Sequence, residues 1–196
     1  MKRKKLISIV LASVVLCAVF SSCASSTVST GIMNENDLKA LFCEKNDEEI
    51  LEFVCHDFDS DGTMEAFIVT EKNDDDGKEI QSLWFISETE YLYIFDIGDF
   101  DRFSQLLVIE HEDSKHLAIG RSYIWPPACE THIWDIEGGK PNIVYSKDER
   151  AVTYINGILM ATDTWIPLSG RVWDHYELVW DSDKEEYAES FLYTES

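Results

Sequence analysis

Asp57-Phe58-Asp59-Ser60-Asp61-Gly62-Thr63-Met64-Glu65 leads without a break into Ala66-Phe67-Ile68-Val69-Thr70. The first stretch places acids at alternate positions and follows them with a glycine. The second is an aromatic and β-branched run of the kind that forms strands. At this junction the chain changes period. Upstream, apolar residues recur at three- and four-residue spacing; downstream, they fall into short runs bounded by turn formers.

Before the loop, Asn34-Glu35-Asn36-Asp37 supplies capping side chains, and Leu38, Leu41 and Phe42 follow at helical spacing. The pattern predicts a short helix over about 36–45. Residues 48–54 fit a weak helix or an extended segment. Downstream, strands are expected at 66–70, 80–86, 91–95, 105–110, 117–124, 131–136, 143–145, 152–155, 158–161, 175–180 and 187–193. Turns are expected at 73–77, at Gly98-Asp99, at Gly138-Gly139, at Asn156-Gly157 and at Asp181-Ser182-Asp183. Asn156-Gly157 between two apolar runs is a strong hairpin signal. The expected fold is mainly β: an antiparallel β domain with a short N-terminal helix, propeller-like in part. Trp125-Pro126-Pro127 is a local break rather than a boundary, so residues 35–196 read as one domain.

The first residues have a different character. Met1-Lys2-Arg3-Lys4-Lys5 is basic, residues 6–20 are apolar apart from Ser8 and Ser13, and Ser21-Ser22-Cys23-Ala24 is small and polar. That order is that of a secretory signal, and the apolar stretch is shorter than the ~20 residues of a spanning helix. Phe20-Ser21-Ser22-Cys23 resembles a bacterial lipobox, with Phe in place of the usual Leu. The resemblance implies a signal peptide over 1–22 and a Cys23 that carries diacylglycerol and acyl chains such as palmitate. Residues 23–34 then form a flexible tether. Ordinary cleavage near Cys23, leaving a free thiol, is the alternative. The expected location is the cell membrane or outer membrane, lipid-anchored and facing outside the cytoplasm.

With 38 acidic against 16 basic residues, the formal charge is −22. Removing Lys2, Arg3, Lys4 and Lys5 with the signal takes away four cations and leaves −26. Such a polyanion repels nucleic acid and can attract basic proteins. Cys43, Cys55 and Cys129 show no C-x-x-C spacing. Export permits a Cys43–Cys55 disulfide, but burial as small apolar residues is the expectation for all three.

In the acidic loop, Asp57, Asp59 and Asp61 occupy the first, third and fifth positions of a calcium loop. Gly62 permits the sharp turn, Thr63 offers a backbone carbonyl, and Glu65, ninth, binds the ion directly or through water. Ile68 stands twelfth, where an EF-hand needs a bidentate Glu. The loop resembles instead the D-x-D-x-D-G-x-x-[DE] loops of FG-GAP and VCBS-like β repeats, which run directly into a strand. The segment from His56 to Phe67, with Trp173-Asp174-His175-Tyr176-Glu177-Leu178-Val179-Trp180-Asp181 and Glu186-Tyr187, is also similar to uncharacterised lipoproteins of anaerobic bacteria. Ser60 stands where glycine is common in them. The resemblance implies calcium in a structural role and no catalytic residues. Asp74-Asp75-Asp76-Gly77 and Asp181-Ser182-Asp183 read as solvated turns.

No G-x-S-x-G, S-x-x-K or H-E-x-x-H occurs, and His111-Glu112-Asp113-Ser114-Lys115-His116 is one residue too long for two ligands on one helical face. Cys129, His132 and His175 carry no cysteine-hydrolase signature. Trp84, Trp134 and Trp180 are expected in the core. Trp125, Trp165 and Trp173 are expected to plug the ends of the β core, with holding an unknown protein or polysaccharide ligand as the alternative. The resulting expectation is a non-catalytic, calcium-stabilised binding or structural module at the cell envelope. The alternatives are an envelope hydrolase with no recognisable motif, or an acidic inhibitor or capture protein for basic extracellular proteins.

Overall fold

Asn34 accepts the N–H groups of Asn36 and Asp37, and the Asp37 carboxylate accepts the N–H of Asn34 in return, which starts helix α1 (Glu35–Lys45). This capping box satisfies donors that the first helical turn leaves without partners. The computed structural model describes residues 33–98, 103–122, 129–148, 150–165 and 172–195. The proposed signal segment, Cys23 and Trp125 lie outside those residues.

Among the described residues, twelve strands follow α1 in three consecutive sheets. The first holds β1 (Glu49–His56), β2 (Glu65–Asn73), β3 (Glu79–Ile86) and β4 (Tyr91–Gly98). The second holds β5 (Phe103–Glu110), β6 (Lys115–Ser122), β7 (Cys129–Glu137) and β8 (Lys140–Asp148). The third holds β9 (Arg150–Ile155), β10 (Ile158–Trp165), β11 (Val172–Asp181) and β12 (Glu186–Glu195). Each sheet is a four-stranded antiparallel meander with its strands in chain order. Residues 48–54, open between helix and strand in sequence, fall mostly in β1, whose register runs from Glu49 opposite Glu71 to His56 opposite Glu65.

The turn chemistry does what the sequence leads one to expect. Asn156 (φ +55°) and Gly157 (φ +82°) join β9 to β10 with two left-handed residues, the backbone that matches strand twist in a two-residue hairpin. Asp74 and Asp181 close the β2–β3 and β11–β12 turns by accepting N–H groups from Asp76 and Asp183, an Asx arrangement exposed to solvent.

Alternation along the strands assigns their faces. Phe67, Val69, Leu83 and Phe85 of the first sheet meet Leu117, Ile119, Trp134 and Ile136 of the second. From the opposite face of the second sheet, Ala118, Ile133 and Tyr145 meet Val152, Leu159, Ala161 and Leu178 of the third. The outer face of the first sheet packs Ala66, Ile68 and Ile86 on Leu38 and Phe42 of α1. The second sheet is thus covered on both sides. Successive meanders packed face to face resemble neighbouring propeller blades, but the sheets are unclosed.

Two expectations about the core are corrected. Cys43 is exposed, because the inward stripe of α1 is Leu38 and Phe42 and the next residue turns to solvent; Cys55 is half-buried, and both are free thiols. The side chain of Cys129 lies outside the described residues. Trp134 is core, whereas Trp84 and Trp180 are only half-buried. Trp84 directs its indole N–H to Glu48 and Thr70, a polar requirement that keeps its edge near the surface.

Candidate metal centre

The acidic loop joins β1 to β2 and is fastened at Phe58. That side chain is fully buried among the residues between the first and second sheets, edge-on to Phe67 at 5.5 Å and 83°. Its backbone is held as well. Phe58 N–H donates to Glu65 Oε2 at 3.0 Å, and Phe58 carbonyl accepts the N–H of Lys115 at 2.8 Å. The loop is therefore tied both to the strand it precedes and to the first residue of β6.

Around this anchor the aspartates converge. One carboxylate oxygen from each of Asp57, Asp59 and Asp61 lies within 4.8 Å of the others. Asp57 Oδ2 accepts Gly62 N–H at 3.1 Å, Asp59 Oδ1 accepts Asp61 N–H at 3.3 Å, and Asp61 Oδ1 accepts Thr63 N–H at 2.7 Å. These bonds wind the backbone back over its own side chains. Gly62 adopts φ +91° and Ser60 φ +58°. The second value explains why glycine suits that position: a side chain at left-handed φ costs about 1–2 kcal/mol.

Asp57 Oδ1 is buried and has no hydrogen-bond partner among the described residues. A buried carboxylate oxygen without a donor is unfavourable, and two further carboxylates beside it add repulsion. A hard cation with oxygen preference would answer both. The three aspartates suit such an ion as its protein ligands.

Thr63 and Glu65 join the hydrogen bonds that shape the loop. Thr63 contributes its N–H and hydroxyl to Asp61 Oδ1, the hydroxyl at 2.6 Å. Those bonds hold the exposed Asp61 carboxyl below its usual range. Glu65 stands outside the converging group of three. It is fully buried, with Oε2 on Phe58 N–H and Oε1 3.1 Å from the Thr63 hydroxyl. Burial pushes its carboxyl up to about 7, with Asp59 and Asp61 adding to the rise. Glu65 braces the loop from beneath.

The tryptophan candidates do not assemble. Trp125 and the side chain of Trp165 lie outside the described residues. Trp173 is half-buried on β11, opposite Thr164 and Glu195. His132 is held by Glu130 and Ser146 in the second sheet, and His175 by Thr162 in the third.

A second group of residues has no motif in the sequence. His111 Nε2 and His116 Nδ1 both bond the Tyr187 hydroxyl, at 2.9 and 2.8 Å, and His116 Nε2 lies 3.5 Å from Asp135 Oδ1. The strands carrying them belong to the second and third sheets, so only tertiary packing brings them together. The pairing of Ile109 with His116, across the hairpin loop at His111–Ser114, is the one local trace.

No protein-family model and no curated protein matches the chain. Among the described residues, no helix is long and apolar enough to cross a membrane.

Proposed function

We propose that this chain is an extracytoplasmic lipoprotein whose β body is a non-catalytic binding or structural module at the cell envelope, stabilised by calcium in the loop of Asp57, Asp59 and Asp61. The observation that carries the metal reading is the convergence of three carboxylates, one of which, that of Asp57, has a buried oxygen with no donor among the described residues. The likeness of the loop to FG-GAP and VCBS-like repeats supports the same reading. The ion would supply positive charge at the turn. Bound there, it would fix the loop between β1 and β2 and, through Phe58, the seam between the first two sheets.

Calcium titration tests this directly. For a Kd of about 10⁻⁴–10⁻³ M, calcium at about 10 mM adds about 1.4–2.7 kcal/mol to the unfolding free energy. For a domain of this size the melting temperature rises by about 3–10 °C. Asp59→Asn keeps the oxygen that accepts Asp61 N–H and removes one charge, and it is expected to cut that rise by more than half. An unchanged melting temperature together with no heat of binding removes the ion from the proposal.

The anchor rests on the basic, apolar and small-residue order of residues 1–23. Mass spectrometry of the membrane-extracted protein is expected to find an N-terminus at Cys23 carrying diacylglycerol. A mature N-terminus elsewhere, or an unmodified Cys23 thiol, refutes lipidation.

A further inference from the structure

Between the second and third sheets lies a cleft of about 620 Å³, walled by the β5–β6 hairpin loop, β7, the β9–β10 hairpin, β11 and the β11–β12 hairpin. Its size is that of a small-molecule site. Its charge is one-sided: Glu110, Glu112, Asp113, Asp135, Glu177 and Glu185 line it, and among the described residues no lysine or arginine does. Lys184, in the same hairpin as Glu185, is held by Asp181 at 2.7 Å.

Apolar and aromatic residues stand among the acids. Ile109, Leu159 and Leu178 form buried walls, each less than 5 % exposed. Trp180 and Tyr187 also line the cleft, with their ring centroids 5.2 Å apart. Behind them sits His116, whose side chain is fully buried and whose Nε2 has no hydrogen-bond partner among the described residues, although it faces the Asp135 carboxylate at 3.5 Å. With Asp135 ionised, the His116 proton belongs on Nε2. Nδ1 then accepts from the Tyr187 hydroxyl, which accepts from His111 Nε2–H. Burial lowers the pKa of His111 and takes that of His116 down to about 3, so neither ring adds positive charge at neutral pH. Burial likewise holds the Tyr187 phenol above its ordinary range, and it stays protonated.

We propose that this cleft binds a small organic cation, an ammonium or guanidinium group carried on an apolar body. The carboxylates would neutralise the charged head, and Asp135, where the cleft meets the buried histidine, is placed to take its N–H groups. The faces of Trp180 and Tyr187 suit the cation and the body attached to it. A bare divalent ion fits less well, since the carboxylates are spread around a space far larger than one coordination sphere and no second trio of ligating atoms converges among the described residues.

The test uses the full-length chain with calcium saturating, so that the aspartate loop is occupied or shown indifferent beforehand. Benzylammonium, benzylguanidinium and neutral benzyl alcohol are titrated while the Trp180 indole and the His111 and His116 ring resonances are followed by NMR. Both cations are expected to shift these signals saturably, and the alcohol is expected not to. Asp135→Asn, which keeps the oxygen facing Ile136 N–H, weakens binding by at least about tenfold. Trp180→Leu weakens it by about fivefold. Glu185→Gln, on an exposed turn, is the variant least able to disturb folding, and it too weakens the cations without shifting the alcohol. Equal binding of the alcohol, no shift with either cation, or signals that answer to further calcium instead each overturn the proposal. Failure of the loop to bind calcium, with the cations still binding here, leaves this inference standing.

Discussion

Phe58→Ala is expected to destabilise the protein by about 3–5 kcal/mol, the range for removing a fully buried aromatic side chain. The size of the effect is unusual for a loop residue, and the packing explains it. Phe58 is 0 % exposed and belongs to the same apolar group as Phe67, Phe85 and Trp134. Removing the ring leaves a cavity between two sheets that are held rigid by their own hydrogen-bond ladders, so little collapse can fill it. Urea unfolding followed by circular dichroism measures the loss. Phe58→Leu, which retains much of the volume, costs about 1 kcal/mol. The alanine variant should also lose the stabilisation by calcium, because the same residue fixes the backbone from which the aspartates project. A loss below about 1 kcal/mol for Phe58→Ala would mean that the loop is not part of the core.

Much of this arrangement is legible in the sequence, for local reasons. Asn34 as a cap, Asn156-Gly157 as a two-residue turn, and the run from Ala66 to Val69 as a strand depend on backbone preferences that act over a few residues. Segment 48–54 stays open in sequence because its apolar positions at Ile50, Leu51, Phe53 and Val54 fit both periods; pairing with β2 decides it. The aspartate loop was legible for the same local reason, since its winding bonds span at most five residues. The burial of Glu65 and its bond to Phe58 N–H are not written in the alternation of acids, because they depend on how the loop folds back on β2. Cys43 was misassigned because isolated cysteines are usually buried, while the helix has room for only one narrow inward stripe. The cleft was illegible throughout. Asp135, Tyr154, Glu177 and Tyr187 come from four strands, and nothing in their spacing announces a shared wall.

Acid is expected to loosen the seam between the second and third sheets through His116. Its ring is fully buried against His111 of the β5–β6 loop, Asp135 of β7, Trp180 of β11 and Tyr187 of β12. Burial first, and His111 second, lower its pKa from 6.5 to about 3. The folded state therefore binds this proton less readily than the unfolded chain. Stability from the neutral ring is fully present above the unfolded value of about 6.5 and is lost as pH falls toward the folded value. Each unit is worth about 1.4 kcal/mol, so about 4–5 kcal/mol is lost by pH near 3. Neighbouring carboxyls act in the opposite sense: Glu65 and Asp135 are raised, chiefly by burial, and favour the folded state as they protonate. The wild-type profile alone would thus mix the two signs. The comparison with His116→Asn separates them, since asparagine can keep a polar atom near Tyr187 without a titrating ring. Unfolding free energies for both proteins, measured from about pH 7 down to pH 4, are expected to converge as pH falls, at about one proton's slope. Parallel profiles would show that the ring takes up its proton without opening the seam, and that solvent reaches it in the folded state.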